Sequence, residues 1–400
     1  MRLFRALALA AVAAVSLSSE ARAFDDDLTT ATNAILVDLS TDTVLYAKNA
    51  DQKMPTSSMS KLMTAYMVFD QLGSGRLTMD RTFPVSQRAY ARNGSDMFLE
   101  VGERVSVKDL LHGVLVQSGN DASITLAEGI GVSEDRFARR MTQVAREKLG
   151  MENSNFTNAT GWPDPENWTT DQPLNHYSTA RDLSKLAAAI VTDFPEYYKI
   201  NSITEFTHNG IRQTNRNPLL YINGLGADGM KTGHTKAAGY GLVGSAVRDG
   251  RRLVMVINGL PSSKARALEA ERLMNWGFAE FSRVTAVKPG QKAGELAVHL
   301  GAVETVPLET DGTLDLTVHI DARDNLEYEL TAKSPVAAPI KAGDRLGILA
   351  VYPPGGREPI GTVPVVAASD VGKADFVGNF FTGLKYLITD RASDAAEQPQ

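Results

Sequence analysis

Cysteine is absent from the 400-residue chain. Disulfide staples, thiolate metal sites and cysteine nucleophiles are therefore excluded. Histidine is nearly as scarce. His112, His176, His208, His234, His299 and His319 are dispersed along the chain, and no two form a metal-like pair. No metal or organic cofactor is expected. An excess of positive charge is also missing. The 41 basic and 47 acidic side chains give a formal charge of −6, which argues against a nucleic-acid partner held by electrostatics. With 43% hydrophobic and 22% charged residues, the composition excludes a disordered, collagen-like or multi-span membrane chain. What remains is a globular protein long enough for about two domains.

The first 23 residues read differently from the rest. Arg2 and Arg5 precede an apolar run from Ala6 to Leu17. Ala21-Arg22-Ala23 then supplies the small-x-small pattern of a signal-peptidase site. The run is short for a bilayer span. Residues 1–23 are expected to be an export leader, with the mature chain starting at Phe24.

Residues 24–282 alternate between strand and helix patterns. Ile35, Val37 and Leu39 on one arm, with Val44 and Tyr46 on the other, predict a hairpin turning at Ser40-Thr41-Asp42. Met59, Leu62, Met63 and Met67 fall at helical spacing, as do Leu110, Leu111, Val114 and Leu115, and again Leu183, Leu186 and Ile190. Two further strands are predicted at 241–247 and 252–257 around the hairpin dipeptide Asp249-Gly250, followed by a helix from Lys264 to Phe281. This order predicts an α+β domain: an antiparallel sheet with its helices segregated into their own layer or cluster. Residues 283–370 change texture, to short alternating runs punctuated by Pro and Gly, and predict a small all-β domain. In 371–400, Phe376, Val377, Phe380, Phe381, Leu384, Leu387 and Ile388 share one helical face ahead of a polar tail. Such a helix suits a membrane surface.

Three short motifs carry the chemistry. Ser58-Met59-Ser60-Lys61 is predicted to open the first long helix, Ser118-Gly119-Asn120 follows a helical stretch, and Lys231-Thr232-Gly233 precedes a Gly-rich strand. A serine hydroxyl is a poor nucleophile until a base takes its proton. Residues three apart on a helix share a face, so Lys61 reaches the Ser58 hydroxyl. To act as the base, Lys61 must be neutral. Repulsion from Lys231 and burial both push that way. With Pro55 before the helix and Thr56 or Ser57 near its cap, Ser58 lies in the first turn, where its backbone N–H is free. That N–H is one half of an expected oxyanion hole, and the backbone N–H of His234 is the other. Ser118 is expected to relay a proton between Lys61 and the leaving group. Asn120 is expected to hold a substrate amide and orient Lys61. Lys231 and Thr232 offer charge and a hydroxyl to a substrate carboxylate.

The set S-x-x-K, S-x-N and K-T-G is an established signature of penicillin-binding proteins and β-lactamases. The chain resembles the D-alanyl-D-alanine carboxypeptidases, the low-molecular-mass penicillin-binding proteins of the bacterial envelope. The likeness is carried by 55–64, by Met97-Phe98-Leu99 with 102–105, by Ser118-Gly119-Asn120-Asp121-Ala122, by Asn215-Arg216-Asn217, and most specifically by 228–235 with Ala238-Gly239-Tyr240. The resemblance implies Ser58 as nucleophile, Lys61 as base, Ser118 as relay and Asn120 as orienter. It groups Lys231, Thr232 and Arg216 around a terminal carboxylate, a role that suits the bidentate guanidinium of Arg216. It implies peptidoglycan stem peptides as substrate and β-lactams as inhibitors. It also implies a periplasmic site at the outer face of the inner membrane, reached through 376–388. The family often shows His-Gly-Leu where this chain has Thr160-Gly161-Trp162.

Three alternatives stay open at this level. A class A β-lactamase would need a loop glutamate such as Glu166, but Thr170 stands where that family's asparagine follows. A D,D-endopeptidase would share every motif. A non-catalytic penicillin sensor would not need the intact Ser58–Lys61 pair.

Overall fold

The computed structural model describes residues 28–162 and 174–374. The leader, Glu166 and the amphipathic segment 376–388 lie outside the described residues.

Strands β1 (Asn33–Asp38) and β2 (Thr43–Lys48) form the expected hairpin. Two small antiparallel pairs, β3 (Thr82–Pro84) with β4 (Arg104–Ser106) and β5 (Glu205–His208) with β6 (Ile211–Thr214), lie outside the main sheet. The sheet is completed by β7 (Ala227–Thr235), β8 (Gly239–Arg248) and β9 (Arg251–Leu260) in the order β2-β1-β9-β8-β7, antiparallel throughout. Asp249 and Gly250, both at positive φ, make the β8–β9 turn, the primed geometry that suits strand twist.

The helices are α1 (Lys61–Gly73), α2 (Gln87–Tyr90), α3 (Val107–His112), α4 (Asn120–Gly131), α5 (Glu134–Leu149), α6 (Ala180–Asp193), α7 (Pro195–Tyr198) and α8 (Ser263–Glu280). Side-chain oxygens of Ser133, Thr179 and Ser262 cap α5, α6 and α8. The expected helical cluster is present, and α8 lies apart from it on the other face of the sheet. Ile35, Val37, Val254 and Val256 face α1, α4, α5 and α6. Leu36, Leu253, Met255 and Ile257 point the other way onto Ala270, Leu273 and Met274 of α8. The two-residue period therefore buries both faces, which is why β1 is buried along its whole length. Each of these large side chains contributes about 1.5–3 kcal/mol by leaving water.

The second unit holds β10 (Phe281–Val287), β11 (Lys292–His299), β12 (Thr305–Thr310), β13 (Leu314–His319), β14 (Glu327–Ala332), β15 (Val336–Ala337), β16 (Arg345–Tyr352) and β17 (Gly361–Ala367). β10 pairs with β13, and the others form a sheet in the order β14-β16-β17-β12-β11-β15 around their own apolar core. At the junction, the fully buried Asp38 carboxylate accepts from Arg251 Nε at 2.5 Å and from Thr317 Oγ1 at 2.9 Å.

Candidate active site

The site is assembled on the turn that enters α1. Ser57–Ser60 form one 3₁₀ turn, and the α-helix starts only at Lys61. Ser58 thus precedes the helix that the motif was expected to open with. It lies second in the tighter turn, where an N–H still has no intrahelical acceptor. Ser57 holds a left-handed φ of 48°, an unfavourable state for a residue with a Cβ. Its hydroxyl donates to Thr235 Oγ1 at 3.1 Å.

Two glycines let backbone approach this turn. A Cβ at Gly233 would lie 2.9 Å from Thr56 O. One at Gly161, whose φ is +78°, would lie 1.8 Å from Ser57 O. Gly161→Ala is therefore expected to push the nucleophile turn out of place. It should destabilise the fold by roughly 2 kcal/mol or more and cut acylation sharply, read by thermal melting and penicillin labelling.

Lys61 is completely buried, yet its Nζ meets three oxygens: Ser58 Oγ at 2.9 Å, Asn120 Oδ1 at 2.7 Å and Thr160 O at 3.0 Å. Burial, with Arg216 next in weight, lowers its pKa to about 7. The expected repulsion from Lys231 is not the leading cause. Lys231 is itself held well below the ordinary lysine range, by burial first and by Lys61 second. A base that must be neutral fills its active form as pH rises. Acylation by a penicillin is thus expected to climb through pH about 7 and then level off, as measured by stopped-flow across pH.

Ser118 ends a single π-turn, Gly113–Gln117, in the left-handed conformation at φ 70°. Its hydroxyl accepts from Lys231 Nζ at 2.9 Å. The contact expected with Lys61 is thus replaced by one with the second lysine. Asn120 opens α4. Its Nδ2 donates one proton to Asn93 O at 2.7 Å, which aims Oδ1 at Lys61 and leaves a second N–H on the amide. Asp121 accepts from the N–H groups of Met97 and Leu99 and fixes the loop between them.

β7 is an edge strand and carries Lys231, Thr232, Gly233 and His234 along the turn. An edge strand leaves alternate N–H and C=O groups unpaired, ready to pair with an extended peptide. Near its start, Asp228 accepts from Tyr198 Oη at 2.6 Å and from both terminal nitrogens of Arg252 at 2.9 and 2.8 Å, a half-buried anchor for the strand. The His234 ring stacks on Tyr240 with centroids 3.9 Å apart, which leaves the backbone as its contribution toward the turn.

Arg216 lies between Asn215 and Asn217, buried residues whose side chains bond the local backbone, and its Nη1 donates to Ser95 Oγ at 2.5 Å. The side chain is exposed at the cleft edge while its charge is felt by both lysines. Sequence reasoning missed Arg266. It reaches back from α8 over the Tyr240 ring, and its buried Nε has no hydrogen-bond partner. No motif marks it. The Thr160 carbonyl was also missed, because a main-chain acceptor leaves no trace in residue type. No cluster of potential metal ligands occurs among the described residues.

The family model described as D-alanyl-D-alanine carboxypeptidase matches residues 20–261, more than half of the chain and all three motifs. The chain belongs to the D-alanyl-D-alanine carboxypeptidase family. A second family model, the C-terminal domain of penicillin-binding protein 5, matches residues 281–373. The chain is 36% identical over 365 residues to the family's DacA from Haemophilus influenzae, covering 90% of each protein. It superposes on the crystal structure of DacD from Francisella tularensis with a TM-score of 0.75 at 29% identity, covering 86% of this chain and 94% of that one. For penicillin binding protein 5 from Haemophilus influenzae the TM-score is 0.71 at 34% identity, over 86% and 98%. At Thr160-Gly161-Trp162, where the resemblance predicts His-Gly-Leu, the Lys61 contact does not depend on the side chain. The acceptor is the residue-160 carbonyl, and the essential glycine is kept.

Proposed function

We propose that the chain is a serine D-Ala-D-Ala carboxypeptidase, working through an acyl-enzyme on Ser58 and inhibited covalently by β-lactams. The observation that carries this reading is the buried Lys61 amine, 2.9 Å from the Ser58 hydroxyl with its pKa lowered to about 7. Family membership and the name of the penicillin-binding relative support it.

The stem peptide lies along the edge of β7, its terminal carboxylate near Thr232 and Arg216. Lys61 takes the Ser58 proton as Ser58 Oγ bonds to the penultimate D-Ala carbonyl carbon. The resulting oxyanion faces the N–H groups of Ser58 and His234, two donors that together contribute several kcal/mol to the transition state. The C–N bond breaks as its nitrogen receives, by way of the Ser118 hydroxyl, the proton that Lys61 took from Ser58, and D-alanine departs with Lys61 neutral again. Lys231 holds the Ser118 hydroxyl and adds positive field. Asn120 keeps Lys61 aimed. Water then adds to the ester and frees the shortened peptide and Ser58.

In this reading residues 24–282 form the catalytic domain, 283–370 a β-rich domain of unassigned ligand, and 371–400 a surface anchor. The leader directs the protein to the periplasm, and 376–388 hold it on the inner membrane's outer face. No helix among the described residues is long and apolar enough to cross a membrane.

The test pairs intact-mass analysis after fluorescent penicillin with D-alanine release from a stem pentapeptide. One penicillin bound to Ser58 together with free D-alanine is expected. Labelling without D-alanine release would leave a sensor, and rapid loss of the label with penicillin turnover would favour a β-lactamase.

A further inference from the structure

We propose that His176 is a positioning residue for acylation, its buried ring tying the turn that carries Ser58 to the segment whose carbonyl holds Lys61. The inference rests on the acyl-transfer reading above. His176 belongs to a strap whose backbone bridges two segments of the site. Met54 N donates to Ser178 O at 2.8 Å and Ser178 N to Met54 O at 3.2 Å. Asn155 and Tyr177 exchange N–H···O bonds, each of 2.9 Å. The imidazole fills the space between the same two segments, its ring edge-on to Phe156.

The hydrogen-bond pattern assigns the tautomer. Nδ1 accepts the Thr157 N–H at 3.1 Å and so carries no proton. The ring proton is then on Nε2, which donates to Ser60 Oγ at 2.8 Å. Ser60 in turn donates to Thr56 Oγ1 at 2.5 Å. Thr56 and Ser60 bracket the strained turn, with Ser57 at its left-handed φ and Ser58 between them. On the other side, Thr157 begins the run that ends at Thr160, whose carbonyl receives Lys61. One neutral ring thus sets the register between the two halves of the Ser58–Lys61 pair. Thr56, Ser60 and His176 are all buried. Burial, helped by Lys61, holds the imidazole pKa down to about 4, so the ring stays uncharged where Lys61 is an active base. His176 acts through Ser60 and Thr157. Displacing a catalytic pair by about 1 Å is enough to lower a rate about 100-fold.

The test follows acylation by a chromogenic penicillin in a stopped-flow instrument, separating the non-covalent Kd from the acylation rate constant. Ser60→Ala and His176→Gln are each expected to lower that rate constant by roughly 10- to 100-fold while Kd moves less than about twofold. The double variant should be no slower than the worse single, because both break one chain of contacts. Ser60→Thr keeps the hydroxyl and should retain most of the rate. Should His176→Gln fail to fold, the Ser60 pair decides alone. NMR of ¹⁵N-labelled histidine should show His176 as the Nε2–H tautomer throughout the neutral range. Unchanged rate constants, strictly additive losses, or equal slowing by Ser60→Thr and Ser60→Ala would overturn the proposal. Failure of the wild-type protein to form any penicillin adduct would instead refute the acyl-transfer reading on which it stands.

Discussion

Alanine at position 58 is expected to abolish covalent penicillin labelling and to reduce D-alanine release by about 10⁴-fold or more, near the limit of detection. The variant removes one half-exposed oxygen and little packing, so the fold should survive. Lys61 would lose one of its three acceptors but keep Asn120 Oδ1 and Thr160 O. Non-covalent binding of penicillin along β7 should therefore persist. Intact mass reports the adduct and equilibrium dialysis the residual affinity. A labelled Ser58→Ala protein would move the nucleophile elsewhere and falsify the mechanism.

Methionine at position 61 should slow acylation by about 10³- to 10⁴-fold, the upper range for a lost general base. Methionine approximates the length of the lysine stem and fills its buried channel, so the deficit would be chemical rather than a cavity effect. The loss should come almost wholly in the acylation rate constant, and the rise in rate near pH 7 should vanish with it. A variant that keeps a rise through pH about 7 would show that another group titrates there, and Lys61 would cease to be the base.

Much of this was legible along the chain because it is local. Ser58 and Lys61 are three residues apart and meet through helical geometry. Asp249-Gly250 turns β8 into β9 because both residues tolerate positive φ. The unbroken apolar run 253–257 in β9 is what a strand buried on both faces requires. The remainder depends on contacts between distant residues. Thr160 meets Lys61 across 99 positions and His176 meets Ser60 across 116. The bond from Lys231 to the Ser118 hydroxyl went unread for the same reason, since nothing local marks Lys231 as the donor there. Element order showed the helical cluster, but not that α8 packs on the opposite face of the sheet.

The two sequestered lysine amines also set how native stability varies with pH. Between pH about 7 and the ordinary lysine range, the unfolded chain binds protons at position 61 that the native chain refuses, so native stability rises with pH across that interval. At physiological pH the burial that makes this amine a usable base therefore leaves the native chain less stable than it is in more alkaline solution. Melting temperature followed against pH should show that rise, and Lys61→Met should flatten it, which separates the energetic cost of the neutral amine from its use as a base.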